Sequence, residues 1–177
     1  IVPDHLILQW YSETIYKFDL RFTIFDQKFF KTKKSSQGVF AQSSYNLISR
    51  SLLEKEDFQK ELLKSKWDLV IIDEAHKIAC PDKDFFFYEQ LAAEAFHLIF
   101  LTAVPEHPGL EEFFCRLKLL EPHRYGRFED FFWRIPEFEK LSQLCGRIER
   151  KLALTNGQLE YLRALAGEFF QSIDYTD

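Results

Sequence analysis

None of the six glycines of this 177-residue chain (Gly38, Gly109, Gly126, Gly146, Gly157, Gly167) is followed by lysine. No loop therefore has the form that cradles β- and γ-phosphates with backbone N–H groups and a lysine. The three cysteines, Cys80, Cys115 and Cys145, make no Cys-x-x-Cys pair. This predicts free thiols in a reducing compartment, with no disulfide framework and no zinc site. Cys115, beside Leu117 and Leu119, reads as a packing thiol. His5, His97, His107 and His123 are scattered without metal-ligand spacing, and no Gly-x-Ser-x-Gly elbow marks a hydrolase. No stretch approaches the roughly 18 apolar residues of a membrane helix, and no signal peptide opens the chain. Those absences predict a cytoplasmic chain with no membrane partner. Methionine is absent even from position 1. Ile1-Val2-Pro3 reads as the end of a strand whose earlier part lies outside the sequence.

Hydrophobic residues make up 46% of the chain and charged residues 29%, the balance of a globular domain and not of a disordered one. Twenty phenylalanines predict a Phe-rich core. The net charge of -5 argues against wholesale polyanion binding and leaves room for a local basic patch. Lys28, Lys31, Lys33 and Lys34 supply one candidate, in a segment 28–38 that reads as a loop. They are either solvated or in contact with nucleic-acid phosphates.

Helices alternate with strands over residues 1–120. Asp4 is placed to cap a helix whose apolar face is Leu6, Leu8, Trp10, Ile15 and Phe18. A strand follows over 21–26, another over 39–43, a helix start at Ser44 or Asn46, and a charged helix over 54–63. After a strand at 67–72 come a helix at 85–96, a second apolar strand at 98–102 and a helix at 110–119. The alternation predicts an α/β fold with a mostly parallel sheet. Residues 121–177 read as a helical extension, with Pro122 and Pro136 bracketing an aromatic segment and two helices (137–154, 158–170) around an Asn156-Gly157 turn. The aromatics of 125–133, with Arg124, Arg127 and Arg134, either dock onto a neighbouring helix or stack on bases.

The chemistry concentrates in Trp67-Asp-Leu-Val-Ile-Ile-Asp-Glu-Ala-His76. Leu69–Ile72 is a continuous aliphatic run, as in a strand covered on both faces. It delivers Asp73, Glu74 and His76 to the carboxyl end, where open α/β sheets place their sites. An apolar strand ending in Asp-Glu is the Walker B arrangement. The first carboxylate holds Mg²⁺ through its water shell, and the second orients the attacking water. Taken alone, an ordinary acidic pair at a strand end looks the same.

Three stretches together resemble the first motor lobe of superfamily-two helicases: Pro3 with Gln9-Trp10 and Glu13, Asp73-Glu-Ala-His76, and Leu101-Thr102-Ala103. The resemblance is to the Swi/Snf group of double-stranded-DNA translocases. Within it, residues 2–10, 67–76, 101–106 and 116–125 are similar to the bacterial RNA polymerase-associated ATPases of the RapA (HepA) type. It implies a partial RecA-like lobe that lacks its Walker A strand and loop, and a fragment of an ATP-driven translocase acting on RNA polymerase. It further implies ATP and Mg²⁺ as cofactors, with Asp73 as metal carboxylate and Glu74 as catalytic base. His76 and Thr102 would couple nucleotide state to the DNA path, and Gln9, Trp10, Ser43 and Ser44 would lie along the DNA backbone. The implied partners are RNA polymerase and double-stranded DNA, for a monomer associated with the bacterial nucleoid.

Two departures qualify this. The phosphate loop and the second motor lobe are not in the sequence, so ATP hydrolysis is not expected from these residues alone. Val104 stands where the family motif ends in threonine, and it lacks that hydroxyl. The alternative is a degenerate, non-catalytic module that binds DNA or RNA polymerase. An unprotected sheet edge also predicts poor solubility.

Overall fold

The computed structural model of the protein describes residues 1–32, 40, 43–80, 83–105 and 109–172. The chain divides into two units, Ile1–Gly126 and Arg127–Asp177.

In the first unit, helix α1 (Ile7–Phe18) follows a 3-10 turn at Asp4–Leu6. Asp4 does not cap it; the Asp4 carboxylate accepts the Ser51 hydroxyl at 2.9 Å. The inward face of α1 also differs from the expected one. Ile7 is buried with Trp10 and Tyr11 packed around it, while Leu8 and Phe18 are exposed. Strand β1 (Thr23–Phe25) pairs in parallel with β2 (Asn46–Ile48), Thr23 opposite Asn46 and Phe25 opposite Ile48. Between them lies α2 (Gln27–Thr32), in part of the segment that reads as a loop. Asp26 starts it by accepting the Phe29 N–H at 2.8 Å, a cap that basic composition obscured. Of the four lysines only Lys28 and Lys31 belong to α2; Lys33 and Lys34 lie outside the described residues.

Asn46 begins a strand and not a helix. Its capping preference loses to sheet pairing: Thr23 N–H donates to Tyr45 O at 2.8 Å, and the Asn46 amide turns back to Ser43 O. The strand that pairs with β1 is Asn46–Ile48, and of the strand expected at 39–43 only Phe40 and Ser43 are described. Residues 39, 41 and 42 lie outside the described residues.

A 3-10 stretch (Arg50–Glu54) and α3 (Glu56–Leu63) lead to β3 (Trp67–Ile72), and α4 (Lys83–Glu94) leads to β4 (Ala95–Phe100). β3 and β4 are parallel, Trp67 opposite Ala95 and Ile72 opposite Phe100. This register draws Ala95–His97 into the strand. Ile1 and Val2 join the two pairs. Val2 bridges in parallel to Ser49, while Asp73 N–H donates to Ile1 O at 2.9 Å. β1–β2 and β3–β4 are two two-stranded parallel sheets with Ile1-Val2 bonded to both, which bears out the α/β reading. Helix α5 (Leu110–Leu120) follows.

The core contains Phe25, Leu52, Leu62, Ile72 and Leu91, each almost wholly buried. Burial of one such side chain stabilises by about 2 kcal/mol. Phe40 sits within aromatic contact of Phe25, Phe58 and Trp67, so part of the phenylalanine surplus is core, while Phe18, Phe86, Phe96, Phe132 and Phe138 are exposed. Coverage of β3 is one-sided among the described residues: Val70 and Ile72 are buried, but Leu69 is 46% exposed and Ile99 43%. Side chains alternate across a strand, so the aliphatic run supplies apolar groups to both faces.

Cys80 and Cys115 are joined in a disulfide, Cα–Cα 6.3 Å. This corrects the prediction of free thiols. α5 brings together two residues whose distance in sequence gave no pairing signal. Both sulfurs pack against the core, and Cys145 is free and exposed.

In the second unit, α6 (Phe128–Glu149) runs through Pro136, and α7 is Asn156–Ser172. Asn156-Gly157 opens that helix. Thr155 Oγ1 accepts the Gln158 N–H and Gln158 Oε1 accepts the Thr155 N–H, a reciprocal capping box. Lys140 Nζ lies 3.9 Å from the centre of the Tyr161 ring.

Candidate functional site

The carboxyl ends of β3 and β4 run side by side and are laced by backbone bonds: Leu101 N–H to Ile72 O and Ala75 N–H to Leu101 O, both 2.9 Å. Parallel pairing thus brings residues 73–76 next to residues 101–104. The chain turns at Asp73-Glu74, where Glu74 takes left-handed backbone angles (φ 52°, ψ 48°). For a side chain of this kind that conformation costs on the order of 1 kcal/mol and must be held from outside. Arg50 holds it. Its guanidinium donates to the backbone carbonyls of both Asp73 and Glu74.

The Asp73 carboxylate is fixed at both oxygens. Oδ1 accepts the Glu74 N–H at 2.9 Å, and Oδ2 accepts the Trp10 indole N–H at 2.8 Å. His76 Nδ1 lies 3.0 Å from Glu74 Oε2 and 3.1 Å from Thr102 Oγ1. With Nδ1 protonated the ring donates to both oxygens, since an ionised carboxylate only accepts. Thr102 Oγ1 also accepts the Val104 N–H at 3.2 Å. Asp73, Glu74, His76 and Thr102 therefore form one half-buried cluster. Gln9 and Ser44 are exposed; Gln9 bonds Glu13 at 3.0 Å, and the Ser43 hydroxyl donates to Tyr45 O at 2.8 Å. Trp10 points its N–H at Asp73.

Two arginines complete the site, and neither drew a functional reading from the sequence. Arg50 follows directly on β2 and Ser49. Arg116 is 3% exposed and donates to Pro105 O at 2.7 Å, Ile78 O at 3.3 Å and His76 O at 3.4 Å. It ties the segment after β3 to the segment after β4. Burial pulls its guanidinium pKa down, against the opposing charge of Glu112. Its signal in the sequence is a charge three residues from Phe113 and from Leu119, on the apolar face of α5. The Ile1 nitrogen donates to Ile71 O at 2.7 Å.

Among the described residues no group of three or more His, Cys, Asp or Glu side chains could cage a metal ion. A hydrated Mg²⁺ does not need such a cage: one or two carboxylates, waters and substrate phosphates suffice. Asp73, with a lone pair free on each oxygen, fits that demand. No helix among the described residues is long and apolar enough to cross a membrane. Residues 1–159 match the family model of the SNF2-related domain, and the chain belongs to that family, within the Swi/Snf helicase superfamily.

Proposed function

We propose that these residues form the metal and water half of the nucleotide site of an ATP-driven, Swi/Snf-type translocase on double-stranded DNA, one that acts on bacterial RNA polymerase. The observation that carries the reading is the convergence of Glu74, His76 and Thr102 within about 3 Å, from two neighbouring strand ends. Asp73 would hold Mg²⁺, which when bound supplies charge neutralisation at the transferring phosphate. Glu74 orients and polarises the attacking water. His76, with its proton shared between Glu74 and Thr102, reports the state of that carboxylate to the segment after β4. Gln9, Ser43 and Ser44 offer polar groups suited to a phosphate backbone. Similarity in residues 2–10, 67–76, 101–106 and 116–125 supports RNA polymerase as the partner.

The test is a graft. Residues 1–177 replace the equivalent segment of an active Swi/Snf ATPase, which supplies the phosphate loop and second lobe. DNA-stimulated hydrolysis should appear and fall by at least a hundredfold in Glu74→Gln. Equal rates in graft and variant would remove Glu74 from the chemistry. A silent graft that still binds duplex DNA or RNA polymerase would favour a non-catalytic binding module.

A further inference from the structure

We infer that Trp10 is a positioning residue for the Asp73 carboxylate and thereby sets how well that carboxylate takes a small divalent cation. The inference rests on the reading of Asp73 as the metal-holding group and goes one step beyond it. Sixty-three residues separate the two in sequence, yet the indole Nε1 stands 2.8 Å from Asp73 Oδ2. The ring is not free to wander. It packs against the small apolar cluster of Val2, Ile7 and Leu47, which fixes α1 to the sheet. An indole N–H only donates, so it orients the carboxylate and never competes for a cation.

The other oxygen is held by the Glu74 N–H from within the turn. Two donors from two segments therefore set the carboxylate plane, whose torsion is otherwise broad. Each oxygen keeps a lone pair for a hydrated ion. Arg50 performs the matching task on the backbone of the same turn. α1, which carries the exposed Gln9 one residue earlier, is thus tied directly to the metal carboxylate.

The probe is Mn²⁺ on the chain of residues 1–177, read by paramagnetic broadening of the Glu74 and Ala75 amide signals. Trp10→Phe keeps the ring and deletes the donor. It should raise the Mn²⁺ concentration at half-broadening about tenfold, the scale of a lost outer partner, and Asp73→Asn should abolish the effect. A purely structural role for Trp10 would lower the melting temperature and leave the Mn²⁺ midpoint unmoved; that result overturns the proposal while the reading of Asp73 stands. Unchanged broadening in Asp73→Asn overturns both. Should Trp10→Phe fail to fold, indole hydrogen exchange in the unsubstituted chain decides. The Trp10 N–H should be protected like that of Trp67, which donates to Leu62 O. Exchange as fast as that of Trp133, 78% exposed, overturns the proposal.

Discussion

The segment after β3 and the segment after β4 lie beside each other and are built differently. The first is held from several directions: Ile1 O takes the Asp73 N–H, Arg50 takes two carbonyls, Trp10 takes the carboxylate, and Ala75 is fully buried. The second is open. Ala103, Val104 and Pro105 are exposed, and this segment meets the first through Leu101, Thr102 and Arg116. A site that must hold carboxylates to within a fraction of an ångström needs the first kind of build. In the second, exposure and few buried contacts mean a low cost of local opening. The Glu74–His76–Thr102 contact is where the buried turn meets the exposed segment.

Arg116 is the strongest single point at which to break this contrast. Arg116→Met keeps the apolar stem and removes a buried cation from three carbonyls. The expected loss is about 4 kcal/mol, the range for an uncompensated buried polar group. Chemical denaturation measures it; a loss below about 1 kcal/mol would show that the two segments are held together without Arg116. Reduction of the Cys80–Cys115 bridge comes next. It reopens a loop with sequence separation 35, and the chain-entropy account gives about 3.8 kcal/mol. The check is a melt with and without a phosphine reductant, beside a Cys115→Ala variant that should no longer respond.

Arg50→Leu should act on one side only. It frees the left-handed turn at Glu74 and should cost about 2 kcal/mol. Amide exchange should quicken at Glu74 and Ala75 and stay near its parent rate at Val104. Equal acceleration at both segments would mean that they move as one body and that the contrast is false.

Legibility from sequence followed the same division. The α/β class and parallel sheet were readable because aliphatic runs and amphipathic helices carry their own periods. Asp73, Glu74 and His76 were readable because they stand at the end of an apolar strand; Thr102 entered through the resemblance to a Swi/Snf motor lobe, and the parallel pairing of β3 with β4 is what brings it to them. What supports the cluster was not. Trp10, Arg50 and Arg116 reach it across 63, 23 and 40 residues, and such contacts exist only once helices are docked. The Cys80–Cys115 bridge was missed for the same reason. The β2 error was local: Asn46 has a strong capping preference that pairing with Thr23 overrides.

Val104 gives the smallest effect and the sharpest test of the open segment. From sequence, valine in place of threonine puts the coupling of hydrolysis to DNA movement in doubt, since it lacks a hydroxyl. In the structure its side chain is 46% exposed, and its contribution to the cluster is its backbone N–H, donated to Thr102 Oγ1. Any residue but proline supplies that N–H. Val104→Thr should therefore change stability by less than about 0.5 kcal/mol, whereas Thr102→Val, which removes the oxygen that both His76 and Val104 use, should cost more, about 1–2 kcal/mol. Paired denaturation curves decide the order. If Val104→Thr shifts the midpoint more than Thr102→Val, then the side chain at 104 is packed in solution and the segment after β4 is not the open one.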